Sequence, residues 1–347
     1  MSGHIPTIYD VAELAGVGRT TVSRVLNGGP KVSARTRERV LGAVAKLRFK
    51  ANAHARLLAG GKVHSLMLVY PACDEQGPLS WYNLLIESGA LRGCANAGLQ
   101  LQMNRVFPDS AQRHARVMTP IEEVACDGII LAPPFSDDAE LIALIKARHI
   151  PVACLAAGPQ TRSLAAGIGM DDEAAGFDLT QYLLKLGHRR FAFIDGLKDH
   201  ISAGQRFNGF CRALDRAAIP MSEVATFRGN LNFHTGVEHM QSVIDSGHKP
   251  TAVVCANDEM AAGALYRAHQ AGLHVPRDVT IAGFDDAPFS PMIWPPLTTI
   301  AQPIFVMAQR AVEIIVKEIE APMAQRPGLY EMTPHRLIIR ESAASPA

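Results

Sequence analysis

Three side chains able to recognise DNA bases lie close together near the N-terminus. Arg19, Thr20 and Arg24 fall on the outer rows of a short predicted helix, whose inward face is formed by Val22, Val25 and Leu26. An arginine can donate to two acceptors of guanine at once, which makes it a common reader of base edges. This pattern predicts contact with the major groove of DNA.

The positive charge of the chain is concentrated in the same region. The 347 residues have a net charge of +1, but the first 62 contain 11 Lys and Arg against 3 Asp and Glu, and the remaining 285 contain 23 against 30. A basic block of this kind is typical of a protein that binds a polyanion, whereas an acidic body would be repelled by one. We therefore expect only the N-terminal block to touch nucleic acid.

Local signals define the elements that position these side chains. Thr7 and Asp10 have the spacing of a capping box, and Gly16-Val17-Gly18 can form a tight turn between this first helix and the helix that begins at Arg19. Ser33 can cap a third helix, which contributes Val40, Ala43, Val44 and Leu47 to a small core. Residues 1–50 are therefore predicted to form an all-α helix-turn-helix headpiece.

The rest of the chain alternates short apolar strands with helical patterns, in two successive series. This alternation predicts an α/β core over residues 63–347, with two lobes built on doubly wound parallel sheets. We expect the first lobe at about 63–163 and 296–323, and the second at about 164–295 and 324–347. Ligands of such folds bind beyond the carboxyl ends of the strands, so a cleft between the lobes is the expected binding site. The predicted loops there supply polar pairs and one aromatic residue, at Asp171-Asp172, Gln205-Arg206, Asn232-Phe233, Asn257-Asp258 and Asp285-Asp286.

Several other classes of protein lack support in the sequence. No apolar run reaches the ~18–20 residues of a membrane-spanning helix, and the MSGHIPTIYD start does not resemble a secretory signal, so a cytoplasmic location is expected. The six cysteines contain no CxxC pair and the histidines have no ligand spacing, so neither a metal nor a cofactor is expected. No phosphate-binding glycine loop or GxSxG nucleophile motif is present.

The stretch TIYDVAELAGVGRTTVSRVLNGGPKVSARTRERVLGAVAKLRFKANAHARLLAGG resembles the LacI/GalR family of transcriptional regulators almost throughout. The resemblance implies that Arg19, Thr20 and Arg24 read bases, and that phosphates are contacted by Thr7, Thr21, Ser23 and Asn27. It also implies a hinge helix and linker at 51–62, where Leu58 would wedge into the minor groove beside Ala55 and Arg56. Alternatively, Leu57 and Leu58 could pack on the core. The sequence departs from the family at Gly18, usually serine, and at Ala51, usually proline.

The resemblance continues through LGHRRFAFIDG, RFNGF, CANDEMAAGAL, AGFDDAPFS and WPPLTTIAQP, and implies a periplasmic-binding-protein-like sensor. It places Arg206 and Asp258 as ligands of a small effector, with Phe233 stacked on it. Further candidate contacts are Asp285 and, after the first strand, Ser80, Tyr82 and Asn83. Structural alternatives stay open for three of these: Asp258 could cap a helix, Phe233 could belong to the core, and Arg206 could bridge the lobes through carboxylates.

Together these features predict a repressor that binds a palindromic operator as a homodimer or a tetramer and responds to a small sugar-like effector. One alternative is a sugar- or phosphate-handling enzyme fused to a DNA-binding head. Another is a transport-type binding protein, which the basic head argues against. The sequence leaves open the effector, the operator and whether the effector acts as inducer or corepressor.

Overall fold

The computed structural model describes residues 7–26, 32–47, 64–72, 80–124, 126–321 and 328–346. The chain divides into two compact units, Met1–His64 and Ser65–Ala347, and each is described by itself. The predicted hinge and linker at 51–62, with Ala55, Arg56 and Leu58, and the predicted phosphate contact Asn27 lie outside the described residues. Among the described helices, none is long and apolar enough to cross a membrane.

The first unit contains three helices: α1 (Ile8–Ala15), α2 (Arg19–Leu26) and α3 (Ala34–Leu47). The Asp10 carboxylate accepts hydrogen bonds from the Thr7 amide at 2.6 Å and from its hydroxyl at 2.7 Å, which fixes the start of α1. Gly16 ends α1 with φ of 59°, a left-handed conformation that suits glycine. The shared core consists of Val11, Ala12, Ala15, Val22, Val25, Val40 and Ala43. These bounds and contacts confirm the predicted helix-turn-helix.

The second unit alternates strands and helices along its whole length. In chain order its elements are β1 (Ser65–Pro71), α4 (Trp81–Asn96), β2 (Gln100–Val106), α5 (Arg113–Glu123), β3 (Gly128–Leu131), α6 (Ala139–Lys146), β4 (Val152–Leu155), β5 (Ala166–Gly169), α7 (Asp172–Lys185), β6 (Phe191–Asp195), α8 (Ile201–Arg216), β7 (Ala225–Arg228), α9 (Phe233–Asp245), β8 (Ala252–Cys255), α10 (Asp258–Gln270), β9 (Thr280–Ala282), β10 (Thr299–Ala301), α11 (Ile304–Glu320), β11 (Tyr330–Met332) and β12 (Arg336–Ile338). Short 3₁₀ turns cover Phe135–Asp137 and Met221–Glu223.

Two parallel sheets form the cores of two lobes. The first sheet has the order β11-β5-β4-β3-β1-β2, and the second has the order β7-β6-β8-β9. All pairs within these two sheets are parallel, and β10 pairs with β12 in a separate antiparallel ribbon. The strands β3, β4, β5, β6, β8 and β9 are buried at every position, as expected for sheets covered by helices on both faces. The predicted two-lobed α/β fold is confirmed.

The predicted lobe boundaries require correction at three strands. We expected 164–295 and 324–347 in the second lobe, but β5 pairs with β4, and β11 pairs with β5, in the first sheet. We also assigned β10 to the first lobe, whereas it pairs with β12, and the adjoining Thr298 bridges to Ala282 of β9. A short apolar strand looks the same in sequence whichever sheet it joins, because hydrogen-bonded pairing is decided by contacts remote in the chain.

Close helix packing holds the loops of the second lobe in place. On α8, a Cβ added at Gly209 would lie 2.0 Å from the Glu173 carbonyl oxygen and 2.6 Å from the Phe177 amide nitrogen, both on α7. A Cβ added at Gly204, on the same helix, would have no neighbouring atom within 4 Å. The backbones of α7 and α8 therefore meet at Gly209, where no larger residue fits without a shift of the helices.

We expect Gly209→Ala to lower the free energy of unfolding of the full chain by about 2 kcal/mol or more, because the added methyl overpacks the helix crossing. Urea unfolding followed by circular dichroism measures the change.

Gly204→Ala is the matched control. It adds the same methyl to the same helix, and we expect it to raise stability by about 0.5–1 kcal/mol through helix propensity. Equal effects of the two substitutions would contradict the close approach of α7 and α8.

Candidate functional site

The three predicted base readers lie on the exposed side of α2. Arg19, Thr20 and Arg24 are exposed, while Val22 and Val25 on the opposite side are buried in the three-helix core. Of the predicted phosphate contacts, Thr7 is exposed, and Thr21 and Ser23 are half-buried. The helix is therefore anchored by one face and presents the other to a partner, and the individual roles stay predictions.

Tyr9 is a neighbour of this surface that the sequence patterns did not single out. The Arg19 Nη1 atom donates to the Tyr9 hydroxyl at 3.1 Å, and the guanidinium lies 5.8 Å from the centre of the tyrosine ring. Tyr9 lies in the first turn of α1 and Arg19 is the first residue of α2, so this contact joins the two helices across the turn of the motif. It restricts the rotamers of Arg19 before any DNA is bound, which reduces the entropy lost on binding.

Arg206 is the centre of the polar site in the second unit. It lies on α8 with only 5% of its surface exposed. Its Nε donates to Asp172 at 2.9 Å, its Nη1 to the Ala256 carbonyl at 2.7 Å, and its Nη2 to Gln302 at 3.2 Å. The guanidinium also stacks on Phe284, 3.8 Å from the ring centre. Two carboxylates also lie against Arg206, that of Asp172 and that of Asp285, whose Oδ1 lies 3.5 Å from Nη1. The role of Arg206 as an effector ligand stays a prediction.

Two polar atoms beside Arg206 have no hydrogen-bond partner. Among the described residues, the buried side-chain atoms without one are Asp285 Oδ1, Gln302 Nε2 and the Oγ of Ser136. A buried polar atom without a partner is costly, and such atoms are often found where a ligand binds. Both Asp285 and Gln302 contact terminal nitrogens of the same guanidinium, so one small molecule could reach both.

The backbone holds Asp285 in a strained conformation. Its φ is 119° and that of Asp286 is 56°, values that L-residues with side chains rarely adopt. The Asp285 amide donates to the Ile300 carbonyl at 2.8 Å, and the Gln302 amide donates to the Asp285 carbonyl at 3.2 Å. Strain of this kind persists where the surrounding structure imposes it, often at functional sites. Burial raises the pKa of Asp285 well above its ordinary value, an effect that Arg206 opposes and Asp258 reinforces.

Asp258 is buried, and both of its carboxylate oxygens accept hydrogen bonds from other residues of the protein. One carboxylate oxygen accepts from the Ala287 amide at 2.8 Å and the Ser290 hydroxyl at 2.6 Å, and the other accepts from the Thr299 hydroxyl at 2.6 Å. Burial raises the pKa of Asp258 to about 6. An effector could bind Asp258 only by displacing one of these donors or by sharing its acceptor, so these contacts favour a positioning role. The capping role considered from the sequence belongs instead to Asn257, whose side chain accepts from the Met260 amide at 3.0 Å.

Tyr82 and Phe233, two other predicted effector contacts, have different surroundings. Tyr82, on α4, is coupled electrostatically to Asp285 and Arg206, and burial raises its pKa, so its hydroxyl stays protonated at neutral pH. Phe233 begins α9, where its ring packs against that of Tyr266 with the centres 5.7 Å apart. Tyr82 thus lies within electrostatic range of Asp285 and Arg206, whereas the rings in contact with that of Phe233 are those of His234 and Tyr266.

Ser80 and Asn83, also predicted as effector contacts, form hydrogen bonds near the start of α4. The Asn83 side chain donates to the Pro71 carbonyl at 3.1 Å, which ties α4 to the end of β1. Glu259 of α10 accepts from the Trp81 amide at 3.0 Å and also interacts with the Ser80 side chain. Because β1 and α4 belong to the first lobe and α10 to the second, Glu259 forms a hydrogen bond between the lobes.

A helix-turn-helix unit in the same chain as a two-lobed α/β unit with a buried polar cluster defines the class of ligand-responsive DNA-binding regulators. Residues 7–52 match the bacterial regulatory proteins of the lacI family, and residues 180–343 match the periplasmic binding protein-like domain. The catabolite control protein A of Priestia megaterium is 30% identical over 340 residues, which cover 97% of this chain and 98% of that protein. The chain belongs to the lacI family and is a transcriptional regulator.

Solved structures agree with this assignment. The lac repressor dimer bound to operator and the anti-inducer ONPF has a TM-score of 0.84 and 28% identity, covering 98% of this chain and 100% of that one. A complex of the transcriptional regulator CelR with cellobiose has a TM-score of 0.73 and 27% identity, covering 97% of this chain and 100% of that one.

The two buried acids provide a test of the site. We expect Asp258→Asn to lower the free energy of unfolding by about 2 kcal/mol or more, because the amide leaves at least one of its donors without a good acceptor. Thermal and urea unfolding of the full chain measure the loss.

Asp285→Asn is the paired variant, since asparagine keeps the size and tolerates positive φ. We expect its loss of stability to be smaller than that of Asp258→Asn, because Asp285 Oδ1 accepts no hydrogen bond and the change removes only its 3.5 Å ion pair with Arg206. A larger destabilisation by Asp285→Asn than by Asp258→Asn would contradict the contrast drawn between them.

Proposed function

We propose that this regulator is a repressor that binds a palindromic operator as a homodimer, and that a small sugar-like effector bound beside Arg206 controls its affinity for DNA. The observation that carries the proposal is a pair of buried polar atoms without a hydrogen bond, Asp285 Oδ1 and Gln302 Nε2, whose side chains flank Arg206 in a chain that also exposes Arg19 and Arg24. The first unit would provide the DNA-binding surface, and the second the effector-binding site.

On the DNA side, Arg19, Thr20 and Arg24 read base edges in the major groove. Contacts to phosphates come from Thr7, Thr21, Ser23 and Asn27, and contacts in the minor groove come from Ala55, Arg56 and Leu58. A two-fold dimer presents two such readers to two half-sites, which is why a palindromic operator is expected. The solved lac repressor dimer on its operator supports this arrangement.

On the effector side, we expect Arg206, Asp285 and Gln302 to contact the ligand, with Tyr82 of α4 as a further contact. Asp258 positions the loops that carry Asp285 and Thr299, and Phe233 and the Ser80–Asn83 segment line the periphery. The cellobiose complex of CelR supports a sugar as the kind of ligand. Because the effector acts by binding the two lobe arrangements with different affinity, effector and operator must influence each other reciprocally.

The alternative of an enzyme has no support in the relatives, which are transcriptional regulators. We propose that the protein has no catalytic activity and acts in the cytoplasm. Incubation with mono- and disaccharides should leave each sugar unchanged, as followed by chromatography, and turnover above background would contradict this part of the proposal.

We expect Arg24→Ala to remove most of the preference for the operator, with a loss of about 1–3 kcal/mol in discrimination, because a bidentate contact to a base is lost. Fluorescence anisotropy with a duplex selected from a random pool, and with its scrambled sequence, measures the ratio at constant salt.

Arg35→Ala is the control, since Arg35 lies exposed on α3 and carries the same charge. It should weaken both duplexes by a similar factor. The role of Arg24 would be refuted by a variant that discriminates between the duplexes as well as the wild type does.

We expect Gln302→Met to reduce effector affinity by about five- to tenfold while operator affinity without effector is retained, because the Nε2 donor to the ligand and the Oε1 acceptor that holds Arg206 Nη2 are both removed, while the side-chain length is kept. Calorimetry with the mono- or disaccharide that gives the wild type its largest thermal shift measures the change.

Gln270→Met provides the comparison, because Gln270 ends α10 and its amide donates to the exposed Tyr266. Its effector affinity should equal that of the wild type. If Gln302→Met also bound the sugar as tightly as the wild type, the ligand would not use the Arg206 cluster.

A further inference from the structure

Tyr9 lies on the surface of α1 and contributes little to the three-helix core. It is 64% exposed, whereas the preceding Ile8 packs against the buried residues of that core. Among the described residues, Arg19 contacts both the hydroxyl of Tyr9, at 3.1 Å from Nη1, and its ring, whose centre lies 5.8 Å from the guanidinium carbon. Tyr9 is therefore placed to interact with a neighbouring side chain rather than to fill the core.

A rigid element holds the tyrosine in place. Tyr9 lies in the first turn of α1, where the Asp10 carboxylate accepts hydrogen bonds from the amide and the hydroxyl of Thr7. Val11, two residues further along, is fully buried in the core. Because the start of α1 and its inward face are both fixed, the Tyr9 hydroxyl gives Arg19 a defined point of attachment.

The contact leaves one edge of the Arg19 guanidinium free. A guanidinium carries five N–H donors in a planar fork. A proton of Nη1 is directed to Tyr9, whereas no described residue accepts a hydrogen bond from Nε or Nη2. These two atoms lie side by side, and together they can donate to O6 and N7 of a single guanine. Tyr9 thus holds the guanidinium in an orientation in which a complete bidentate edge is available.

The contact with Tyr9 could also steady the start of α2, because a glycine stands at the cap position of this helix. The Gly18 carbonyl accepts from the Thr21 amide at 2.9 Å and from the Val22 amide at 3.2 Å, but glycine has no side chain that could accept from the amides of the first turn. A Cβ added at Gly18 would lie 3.8 Å from the Thr20 hydroxyl, which is an ordinary contact, so a serine fits there. Gly18→Ser can therefore separate an effect on the helix start from an effect on the guanidinium.

Arg24 provides an internal comparison for Arg19. It lies in the last turn of α2, about 7.5 Å further along the helix axis at the rise of an α-helix. Loss of the Tyr9 hydroxyl should therefore affect recognition by Arg19 and leave recognition by Arg24 unchanged.

We propose that Tyr9 is a positioning residue for base recognition, which orients the Arg19 guanidinium with its Nε–Nη2 edge free for one guanine and so determines how strongly that base is preferred. The inference rests on the proposed function, because it requires Arg19 to read a base.

Tyr9→Phe tests the proposal in the full chain, since it keeps the ring and removes the hydroxyl. Arg19→Ala and Arg24→Ala first identify the base pairs of each half-site at which each arginine acts. We expect Tyr9→Phe to reduce the preference at the Arg19 base pair by about two- to tenfold and to leave that at the Arg24 base pair unchanged. Fluorescence anisotropy at constant salt, with a duplex selected from a random pool and with its single-base variants, measures these preferences.

A double-mutant cycle separates positioning from a general structural role. In the Arg19→Ala background, Tyr9→Phe should cause no further change at the Arg19 base pair, whereas in the Arg24→Ala background its effect should be as large as in the wild type. A general loss of headpiece stability would instead weaken binding to all duplexes by a similar factor.

Gly18→Ser distinguishes the two ways in which Tyr9 could act. A serine can cap α2 but cannot orient the guanidinium, so the double variant with Tyr9→Phe should keep the reduced preference at the Arg19 base pair. Recovery of the wild-type preference would show that Tyr9 acts on the helix start, and the proposed positioning of the guanidinium would be wrong.

The inference is overturned if Tyr9→Phe keeps the wild-type preference at the Arg19 base pair. It is also overturned if Tyr9→Phe has the same effect with and without the Arg19 side chain, since Tyr9 would then contact DNA directly. In both cases a loss of preference in Arg19→Ala leaves the proposed base reader in place. If Arg19→Ala changes no base preference, the assignment of Arg19 as a reader falls together with the inference.

Discussion

The buried guanidinium of Arg206 connects the separate loops of the ligand site. Its donors reach α7 through Asp172, the end of β8 through Ala256, and the segment after β10 through Gln302. A buried arginine is stable only when its charge and its hydrogen bonds are satisfied together, so these loops must meet at one point. The same requirement brings Asp285 to the guanidinium, with its Oδ1 atom 3.5 Å from Nη1.

Helix starts add rigidity to this arrangement. The four helices that follow strands β5 to β8 begin at a side-chain cap, provided in chain order by Asp171, His200, Asn232 and Asn257. Each cap fixes the loop between a strand and its helix. Arg206 therefore lies on a helix, α8, whose start is fixed by such a cap.

Local signals in the sequence were sufficient for the first unit and for the fold class of the second. Thr7 with Asp10, Gly16 and Ser33 are all close in sequence to the helix ends they determine. The distinction between Asp258 and Asp285 could not be read in the same way, because both acids follow a strand beside a second polar residue. The partners that engage Asp258 include Ser290 and Thr299, which are 32 and 41 residues away. Gln302 was missed because its role depends on Arg206, which is 96 residues distant, and the signal available was its place in the TTIAQP stretch.

The hydrogen bond from the Trp81 amide to Glu259 has a consequence for gene expression. Any separation of the lobes at this point must break a bond to a carboxylate, and that cost contributes to the equilibrium between closed and open clefts when no ligand is present. A change at Glu259 would thus alter the background transcription from a repressed promoter, while the exposed face of α2 and the polar atoms around Arg206 are left unchanged. Regulators of this kind could diverge in background transcription through one carboxylate at the lobe junction.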